Sequence, residues 1–323
     1  MQETPLPVSQ ITQQAMGTIM THKAYGQNAD EALVAVFQEV IRLEKLLSRF
    51  LPGSDISQIN QNAGFIPTRI SRESFIVLNE AVKFSKTCPG CFDITIEPLV
   101  NLWKIGKERN LEPEEMLIEM TIPLVNYEDL ILNPFENTAG LRNFGQSIDL
   151  GGIGKGYAAD RVKEVFLQYG VHSAYSNLGG NVVTLGTKPD GSPWVIGIQH
   201  PRREKQLIGA VSVLNQTVVT SGDYQRYYID GNGNRHHHII DPKTGYPAES
   251  DLMSVTIVSE NSLVADALST IIFIAGLNKG RDILQGYPQT GAVLVDTKMT
   301  VYITRDLSER FLSEEGFEVT VLK

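Results

Sequence analysis

Apolar residues recur at helical spacing in four stretches of the chain. Between residues 29 and 48, for example, Leu33, Val36 and Val40 are three or four positions apart, with charged residues between them. This spacing puts them on one face of a helix, so the pattern predicts amphipathic helices that pack on a core. The four predicted helices cover residues 29–48, 72–86, 155–169 and 262–275.

Beyond residue 180 the pattern changes to short apolar runs separated by turns that contain Gly, Asn, Asp or Pro. Short turns are typical of antiparallel hairpins, not of strand-helix-strand crossovers. The predicted fold is therefore α+β, with helices packed on an antiparallel sheet. The predicted strands cover residues 181–185, 194–198, 208–214, 217–220, 227–229, 254–258, 291–295 and 299–303.

A chain of 323 residues is long enough for one large domain, and no linker divides it. We expect a single catalytic domain over 1–323, with room for two lobes that share one core. The first 14 residues are polar and contain two prolines, so we expect them to be flexible. Residues 104–146 show the weakest pattern.

Charge and hydropathy exclude two classes of function. The net charge is −9, without clusters of Lys or Arg, which argues against a nucleic-acid partner. Eighteen consecutive apolar residues occur nowhere, so we expect no transmembrane segment. Localisation stays open between an extracytoplasmic, lipid-anchored protein in the bacterial periplasm, if a signal was removed, and a cytoplasmic protein.

The segment 147–160, SIDLGGIGKGYAAD, is a glycine-rich turn that leads directly into a predicted helix. Its glycines can serve close packing, or they can expose backbone N–H groups to an anion such as a phosphate. Lys155 would add a positive charge to that space, and Asp149 a negative one. The spacing fits neither the dinucleotide-binding fingerprint nor the P-loop.

Asp266, Ser269 and Thr270 are three and four positions apart on the helix predicted for 262–275, so their oxygens share one side. Carboxylate and hydroxyl oxygens suit Mg²⁺, which fills its remaining positions with phosphate and water. The alternative is a polar stripe on an otherwise apolar helix.

Three consecutive histidines, 236–238, lie on a predicted strand, where only His236 and His238 share a face. Two histidines alone indicate a metal site only weakly. The preceding segment DGNGN, 230–234, resembles the start of a calcium loop but lacks its closing Glu, which favours a hairpin turn. Cys88 and Cys91 have the spacing of a redox pair and are too few for a structural zinc site.

Taken together, these residues resemble the ApbE family, the FAD:protein FMN transferases. The resemblance spans nearly the whole chain, because eight motifs occur in family order. They are MGT (16–18), LSRF (47–50), FDIT with PLVNLW (92–103), the glycine turn (149–160), NLGGN (177–181), SGDY (221–224), HHIIDPKTG (237–245) and DALST (266–270).

The resemblance implies a T-fold-like α+β architecture that binds FAD and Mg²⁺. It also implies the reaction: a Ser or Thr hydroxyl of an acceptor flavoprotein attacks the FMN-side phosphorus of FAD, and AMP leaves. The acceptor would carry a motif of the type Asp-Gly-x-Ser/Thr-Gly-Ala-Thr. The open alternatives are an FAD pyrophosphatase that uses water as the acceptor and a carrier that only holds FAD.

The resemblance also assigns roles to individual positions. Asp266 and Thr270 match the family's Mg²⁺ ligands, with Ser269 as a third and Gly152 as the donor of a main-chain oxygen. His238 matches the histidine beside the pyrophosphate and is the expected base or phosphate-orienting group. The positions expected to contact FAD are Met16, Phe50, Cys91, Phe92, Asp93, Asp149, Lys155 and His238.

Two positions depart from the family pattern. Phe50 stands where relatives often have a tyrosine, which removes one hydroxyl contact. Cys88-Pro-Gly-Cys91 replaces a turn of small and polar residues, and an oxidised pair would stiffen the loop that leads into Phe92 and Asp93. This hypothesis links flavin binding to the redox state of the cysteines.

Overall fold

The computed structural model of the chain describes residues 6–105 and 112–322. Within these ranges it contains seven α-helices, some of which begin after a Ser or Asn side chain that accepts a hydrogen bond from the first turn. The helices are α1 (Ala29–Leu47), α2 (Asp55–Gln61), α3 (Arg72–Thr87), α4 (Glu97–Trp103), α5 (Glu115–Thr121), α6 (Gly154–Gln168) and α7 (Ser262–Leu284).

The strands are short, and most are joined by tight turns. They are β1 (Val8–Ala15), β2 (Thr18–Tyr25), β3 (Thr68–Arg69), β4 (Leu130–Asn133), β5 (Thr138–Leu141), β6 (Ser173–Leu178), β7 (Asn181–Leu185), β8 (Trp194–Gln199), β9 (Leu207–Val213), β10 (Thr217–Gly222), β11 (Tyr227–Ile229), β12 (Arg235–His237), β13 (Leu252–Ser259), β14 (Gly291–Asp296), β15 (Val301–Ile303), β16 (Phe311–Ser313) and β17 (Val319–Val321).

Nine strands form the central sheet in the order β1-β2-β6-β7-β10-β13-β14-β15-β17. All its neighbours pair antiparallel except β15 and β17. Two three-stranded sheets, β16-β9-β8 and β3-β5-β4, and the hairpin β11-β12 complete the β-structure of the described residues. The predicted α+β class with a mainly antiparallel sheet is therefore confirmed.

The middle of the central sheet is buried on both faces, whereas its edge strands β1 and β17 are partly exposed. Every residue of β13 is buried, since Val255 and Ile257 belong to the core cluster that includes the helices, whereas Met253 and Val258 belong to a cluster shared with β8 and β9. A strand covered on both sides is expected to be apolar throughout, as β13 largely is. The helices thus form one outer layer and the small sheet β16-β9-β8 forms the other.

The four helices predicted from spacing are all present, with ends that differ by about a residue, except at the end of α7. Its predicted end at 275 coincides with Gly276, whose φ of 76° breaks the helical geometry. The helix resumes because Asp251 accepts a hydrogen bond from the N–H of Leu277 at 2.9 Å, as an N-cap would. A side chain distant in sequence therefore extends α7 to Leu284.

Two further details differ from the sequence pattern. Residues 8–14, part of the start that was expected to be flexible, pair along their whole length with β2 through a turn in which Met16 and Gly17 have φ of 49° and 72°. Positive φ at both positions suits a tight hairpin. The strand predicted for 299–303 begins only at Val301, because Met299 has a φ of 68° and lies in a turn.

Among the described residues, α7 is the one helix whose length and apolar composition would suit a membrane span. More than half of its most apolar window is buried inside the protein. It packs against β10, β13 and α6, so its apolar character is accounted for by the core.

Candidate active site

A large cavity of about 1170 Å³ opens between the β1-β2 turn, the start of α6, the middle of α7 and the hairpin β11-β12. We call it the large cavity. Its volume lies slightly above the range of about 300–1000 Å³ that is typical of small-molecule sites. All but one of the predicted site residues line it, namely Met16, Phe50, Cys91, Phe92, Asp93, Asp149, Gly152, Lys155, His238, Asp266 and Thr270.

The junction of α6 and α7 fixes the position of Asp266. A Cβ at Gly156 would lie 2.4 Å from the Ser262 carbonyl oxygen and 2.7 Å from the Asp266 Cβ, so only glycine permits this approach. The N–H of Gly156 donates to Asp266 Oδ2 at 2.8 Å. Asp160 holds the same junction, because its carboxylate accepts from the N–H groups of Ser262 and Leu263 at 2.8 and 2.9 Å.

Asp266 is only 3% exposed, and its other oxygen, Oδ1, lies 3.6 Å from Lys155 Nζ. Two hydroxyls of the same cavity wall lie close to each other, since Ser221 Oγ is 3.4 Å from Thr270 Oγ1. A Cβ built on Gly152 would be 3.5 Å from Thr270 Oγ1, which places this backbone beside the same oxygens. The donor set of one carboxylate, hydroxyls and backbone fits a hard cation such as Mg²⁺.

Ser269, the third expected ligand, lies behind the cavity wall. It is fully buried, and its Oγ shares a hydrogen bond of 2.8 Å with Ser221 Oγ and donates to the Asp266 carbonyl. Ser269 therefore supports Ser221 from behind, and Ser221 presents the hydroxyl to the cavity. Helical spacing alone could not distinguish these positions, because Ser221 comes from strand β10.

The sequence left two roles open for the glycine turn, close packing and contact with a ligand, and the turn is placed for both. Gly152 packs against the Phe92 ring, 3.1 Å from the site of a Cβ, while the turn also forms part of the cavity wall. Asp149 accepts from the N–H of Gly151 at 2.6 Å and pairs with Arg49 Nε at 3.0 Å. The first turn of α6 follows at once, so the positive end of its helix dipole lies beside the cavity, although the N–H groups of Gly154 and Gly156 already donate to the Leu150 carbonyl and to Asp266.

His238 is held at the cavity wall by the backbone of Arg226. Its Nδ1 lies 3.3 Å from the Arg226 carbonyl oxygen, which can only accept, so Nδ1 carries the proton and Nε2 has a free lone pair. Burial, followed by the charge of Arg226, lowers the pKa of His238 to about 3. The imidazole is therefore neutral near pH 7 and able to accept a proton.

The residues expected near the flavin rings form another wall of the cavity. Cys88 and Cys91 form a disulfide, and Lys279 Nζ lies 3.6 Å from Cys91 Sγ. Asp93 also lines the wall, but its carboxylate accepts from the N–H and hydroxyl of Thr95 and from the N–H of Tyr127. Burial raises the pKa of Asp93, and these hydrogen bonds oppose that rise.

Cationic side chains outnumber acidic ones around the large cavity, although the whole chain carries a net charge of −9. A surface of this kind attracts an anion locally. Arg49 and Arg226 were missed as single site residues, although Arg49 lies within the LSRF motif and Arg226 lies two residues after the SGDY motif. The cationic residues of the wall are Arg49, Lys104, Lys155, Arg202, Arg203, Arg226 and Arg235, and the acidic ones are Glu44, Asp93, Asp149, Glu204 and Asp266.

His236 and His238 do not share a site. His238 faces the large cavity, whereas His236 lines a second cavity of about 650 Å³. His236 stacks between the rings of Tyr228 and Trp103, with ring centroids 4.9 and 5.5 Å away. The weak expectation of a metal site on the histidine run therefore does not extend to this pair.

The fold and the cavity define an α+β protein whose cavity has the volume, the cationic side chains and the apolar wall to suit an anionic ligand with aromatic rings. The chain belongs to the ApbE family, whose family model matches residues 16–294.

Similar proteins support this assignment over nearly the full length. The chain is 36% identical over 307 residues to a Klebsiella pneumoniae protein named FAD:protein FMN transferase, and the match covers 94% of each chain. A Treponema pallidum protein of the same name is 31% identical over 87% of this chain and 82% of its own. The ApbE protein structure from Thermotoga maritima has a TM-score of 0.83 at 30% identity and covers 91% of this chain and 96% of its own.

Proposed function

We propose that this protein is an enzyme that transfers the FMN half of FAD, with Mg²⁺, to a Ser or Thr hydroxyl of an acceptor flavoprotein. In this reaction the acceptor oxygen forms a bond to the FMN-side phosphorus and the bond from that phosphorus to the bridging oxygen breaks. AMP leaves with the bridging oxygen, and the hydroxyl proton passes to a base. The relatives named FAD:protein FMN transferase support this proposal.

One observation carries the proposal. The oxygen donors around Asp266 and the free Nε2 of His238 line the same large cavity, which has the volume for a dinucleotide. Storage of FAD alone would not require a buried carboxylate and a base at one place. The arrangement therefore favours chemistry at the pyrophosphate.

Asp266, Thr270, Ser221 and the backbone of Gly152 are the groups that would hold the cation. When bound, Mg²⁺ supplies positive charge that stabilises the charge developing on the pyrophosphate oxygens. Lys155 lies against Asp266 at 3.6 Å and can follow the phosphates with its flexible side chain. The N–H groups at the start of α6 add fixed dipoles of the same sign.

His238 is the base in this proposal. Its tautomer leaves Nε2 as an acceptor, so it can take the proton of the attacking hydroxyl as the new bond to phosphorus forms. The pKa of about 3 is low for this task, because burial disfavours the imidazolium ion. The negative charge of a bound pyrophosphate acts in the opposite direction and raises the basicity when the substrate is in place.

The isoalloxazine rings would lie against Phe92 and Met16, which are apolar members of the cavity wall. The Arg49 guanidinium lies 4.3 Å from the centroid of the Phe50 ring and pairs with Glu97 and Asp149, so it holds a flat aromatic and polar surface in place. Such a surface suits an aromatic ring system with nearby phosphates.

The test is incubation of the full chain with FAD, Mg²⁺ and an acceptor domain that carries the Asp-Gly-x-Ser/Thr-Gly-Ala-Thr motif. A fluorescent protein band after denaturing electrophoresis measures flavin transfer, and chromatography measures AMP. The matched control is the same acceptor with its target Thr replaced by Val. We expect a band and AMP in equal amounts with the first acceptor and no band with the second.

Other outcomes identify the alternatives. AMP without a band, at the same rate for both acceptors, would show an FAD pyrophosphatase and contradict transfer. FAD binding without AMP or a band would show a carrier and contradict an enzymatic function.

A further inference from the structure

Three potential metal ligands converge outside the large cavity. The ligand atoms of Glu112, Asp230 and His236 all lie within 4.8 Å of one another, and Asp230 Oδ2 is 3.1 Å from His236 Nε2. Two ligands bound at about 2.1 Å to one tetrahedral ion are about 3.4 Å apart, so this pair is already near the required separation. We call these three residues the hairpin cluster, since two belong to the hairpin β11-β12.

The hairpin holds two of these ligands in place. His236 pairs across the strands with Tyr228, and its ring stacks at 19° on Tyr228 and at 28° on Trp103. Asp230 closes the turn, because its carboxylate accepts from the N–H groups of Asn232 and Asn234, both at 2.8 Å. Ligands fixed in this way lose little conformational entropy when an ion binds.

The charges of the hairpin cluster are unbalanced. Among the described residues, neither Glu112 nor Asp230 forms an ion pair with a lysine or arginine, and His236 is the partner of Asp230. Two carboxylates so close together repel each other, and a cation relieves that repulsion. Uncompensated acids alone are common on protein surfaces, so a further observation is needed.

Tyr228 provides it. The residue is 5% exposed, yet its hydroxyl has no hydrogen-bond partner among the described residues. Tyr228 pairs with His236 across the hairpin and its ring stacks on the imidazole, so the residue with this unpartnered group packs directly against the hairpin cluster. A buried hydroxyl without a partner normally finds an ion or a water molecule.

We propose that Glu112, Asp230 and His236 bind a divalent transition-metal ion of the zinc class. An imidazole with two carboxylates suits Zn²⁺ and similar ions, whereas Mg²⁺ and Ca²⁺ prefer oxygen ligands throughout. Three protein ligands leave a coordination position for water, next to the second cavity that Glu112 and His236 line. The ion would join the segment before α5 to the hairpin β11-β12.

The experiment uses the full chain, freed of metal with a chelator and returned to buffer with saturating Mg²⁺ so that the Asp266 site is not the one measured. Zn²⁺ binding is followed by calorimetry, and Co²⁺ binding by its visible absorption. The test variants are Glu112→Gln and His236→Gln. Their matched controls are Glu119→Gln and His172→Gln, which change an exposed carboxylate and an exposed imidazole elsewhere.

We expect one Zn²⁺ per chain, and a loss of affinity of at least about tenfold in each test variant, or about 1.4 kcal/mol. Both controls should bind like the original chain. Zn²⁺ should also raise the melting temperature of the original chain and of Asp266→Asn. Circular dichroism of the metal-free variants verifies that they are folded.

Two results would overturn the proposal. One is the absence of saturable Zn²⁺ binding in the original chain. The other is binding that persists unchanged in folded Glu112→Gln and His236→Gln, or that disappears in Asp266→Asn, because the ion would then lie elsewhere.

Discussion

The wall of the large cavity and the hairpin cluster each contain carboxylates and a histidine, but they are supported differently. Asp266 belongs to a core helix, is almost fully buried and lies against Lys155 and the N–H of Gly156. Glu112 is exposed, and Asp230 is held by its own turn. The comparison indicates that burial with charge compensation prepares a site for chemistry, whereas an open cluster prepares one for an ion alone.

The most severe test of this comparison removes the charge of Asp266. We expect Asp266→Asn to reduce flavin transfer at least about 100-fold, since loss of one group that stabilises developing charge commonly costs that much. Asp282→Asn, at the exposed end of the same helix, should transfer flavin at the original rate. Measurement of kcat for both variants shows whether the Asp266 carboxylate is needed for transfer. A fully active Asp266→Asn would contradict the assignment of the cation site.

A second test compares the packing of two glycines. A Cβ at Gly156 would collide with Ser262 and Asp266, whereas one at Gly231, in the hairpin turn, would meet nothing within 4 Å. Overpacking costs about 3 kcal/mol, and the gain in helix propensity returns about 1, so Gly156→Ala should lose about 2 kcal/mol of unfolding free energy.

Gly231→Ala should change the unfolding free energy by less than about 0.5 kcal/mol. Urea denaturation measures both variants. Equal unfolding free energies of the two variants would show that the α6-α7 junction can relax around an added methyl group. The junction would then be no more tightly packed than the hairpin turn.

A third test concerns acid sensitivity beneath the large cavity. His22, in strand β2, is fully buried between Gln13 and Ser176, and burial lowers its pKa to about 4. Between pH 6.5 and 4 the unfolded chain binds a proton here that the folded chain does not, so stability falls as the pH falls. This one group should account for about 1.5 kcal/mol between pH 7 and 5.

His22→Gln cannot titrate and should lose correspondingly less stability over that interval. Urea midpoints at pH 7, 6 and 5 provide the comparison. An identical loss in the variant and the original chain would assign the acid sensitivity to other groups.

The smallest expected effect belongs to the disulfide in the cavity wall. Reduction of Cys88–Cys91 by dithiothreitol frees the loop before Phe92, so FAD affinity should fall about threefold, or less than about 1 kcal/mol. The double variant Cys88→Ser/Cys91→Ser should bind FAD equally with and without the reductant. Fluorescence titration measures the affinity, and equal binding by the oxidised and reduced original chain would exclude a redox link.

Periodic segments were predictable from the sequence because their cause is local. The spacing that predicts α1, α3 and α6 is the spacing that buries one face of each helix. The extension of α7 was not predictable, since it depends on Asp251, a residue from another segment. The short strand β1 was missed because its polar residues obscure the alternation at an edge of the sheet.

The candidate site also contains residues that the sequence could predict and residues that depend on the fold. Motif resemblance grouped Asp266, Thr270, Lys155 and His238, and all four line one cavity of the folded chain. The motifs could not show that Ser221, and not Ser269, faces the cavity. This depends on strand β10, which packs on α7 and places Ser221 over Ser269. The hairpin cluster could not be predicted from the motifs either. Glu112 and Asp230 are far apart in the sequence and come close only in the folded chain.

The carboxylate of Asp160 has a consequence for how molecules enter and leave. Because it ties the start of α7 to α6 with two hydrogen bonds, separation of these helices would break both of them. Residues 200–204 and the hairpin β11-β12 border the large cavity without such ties to α6 among the described residues. We therefore expect the release rate of a product to depend on these loops more than on the helix pair.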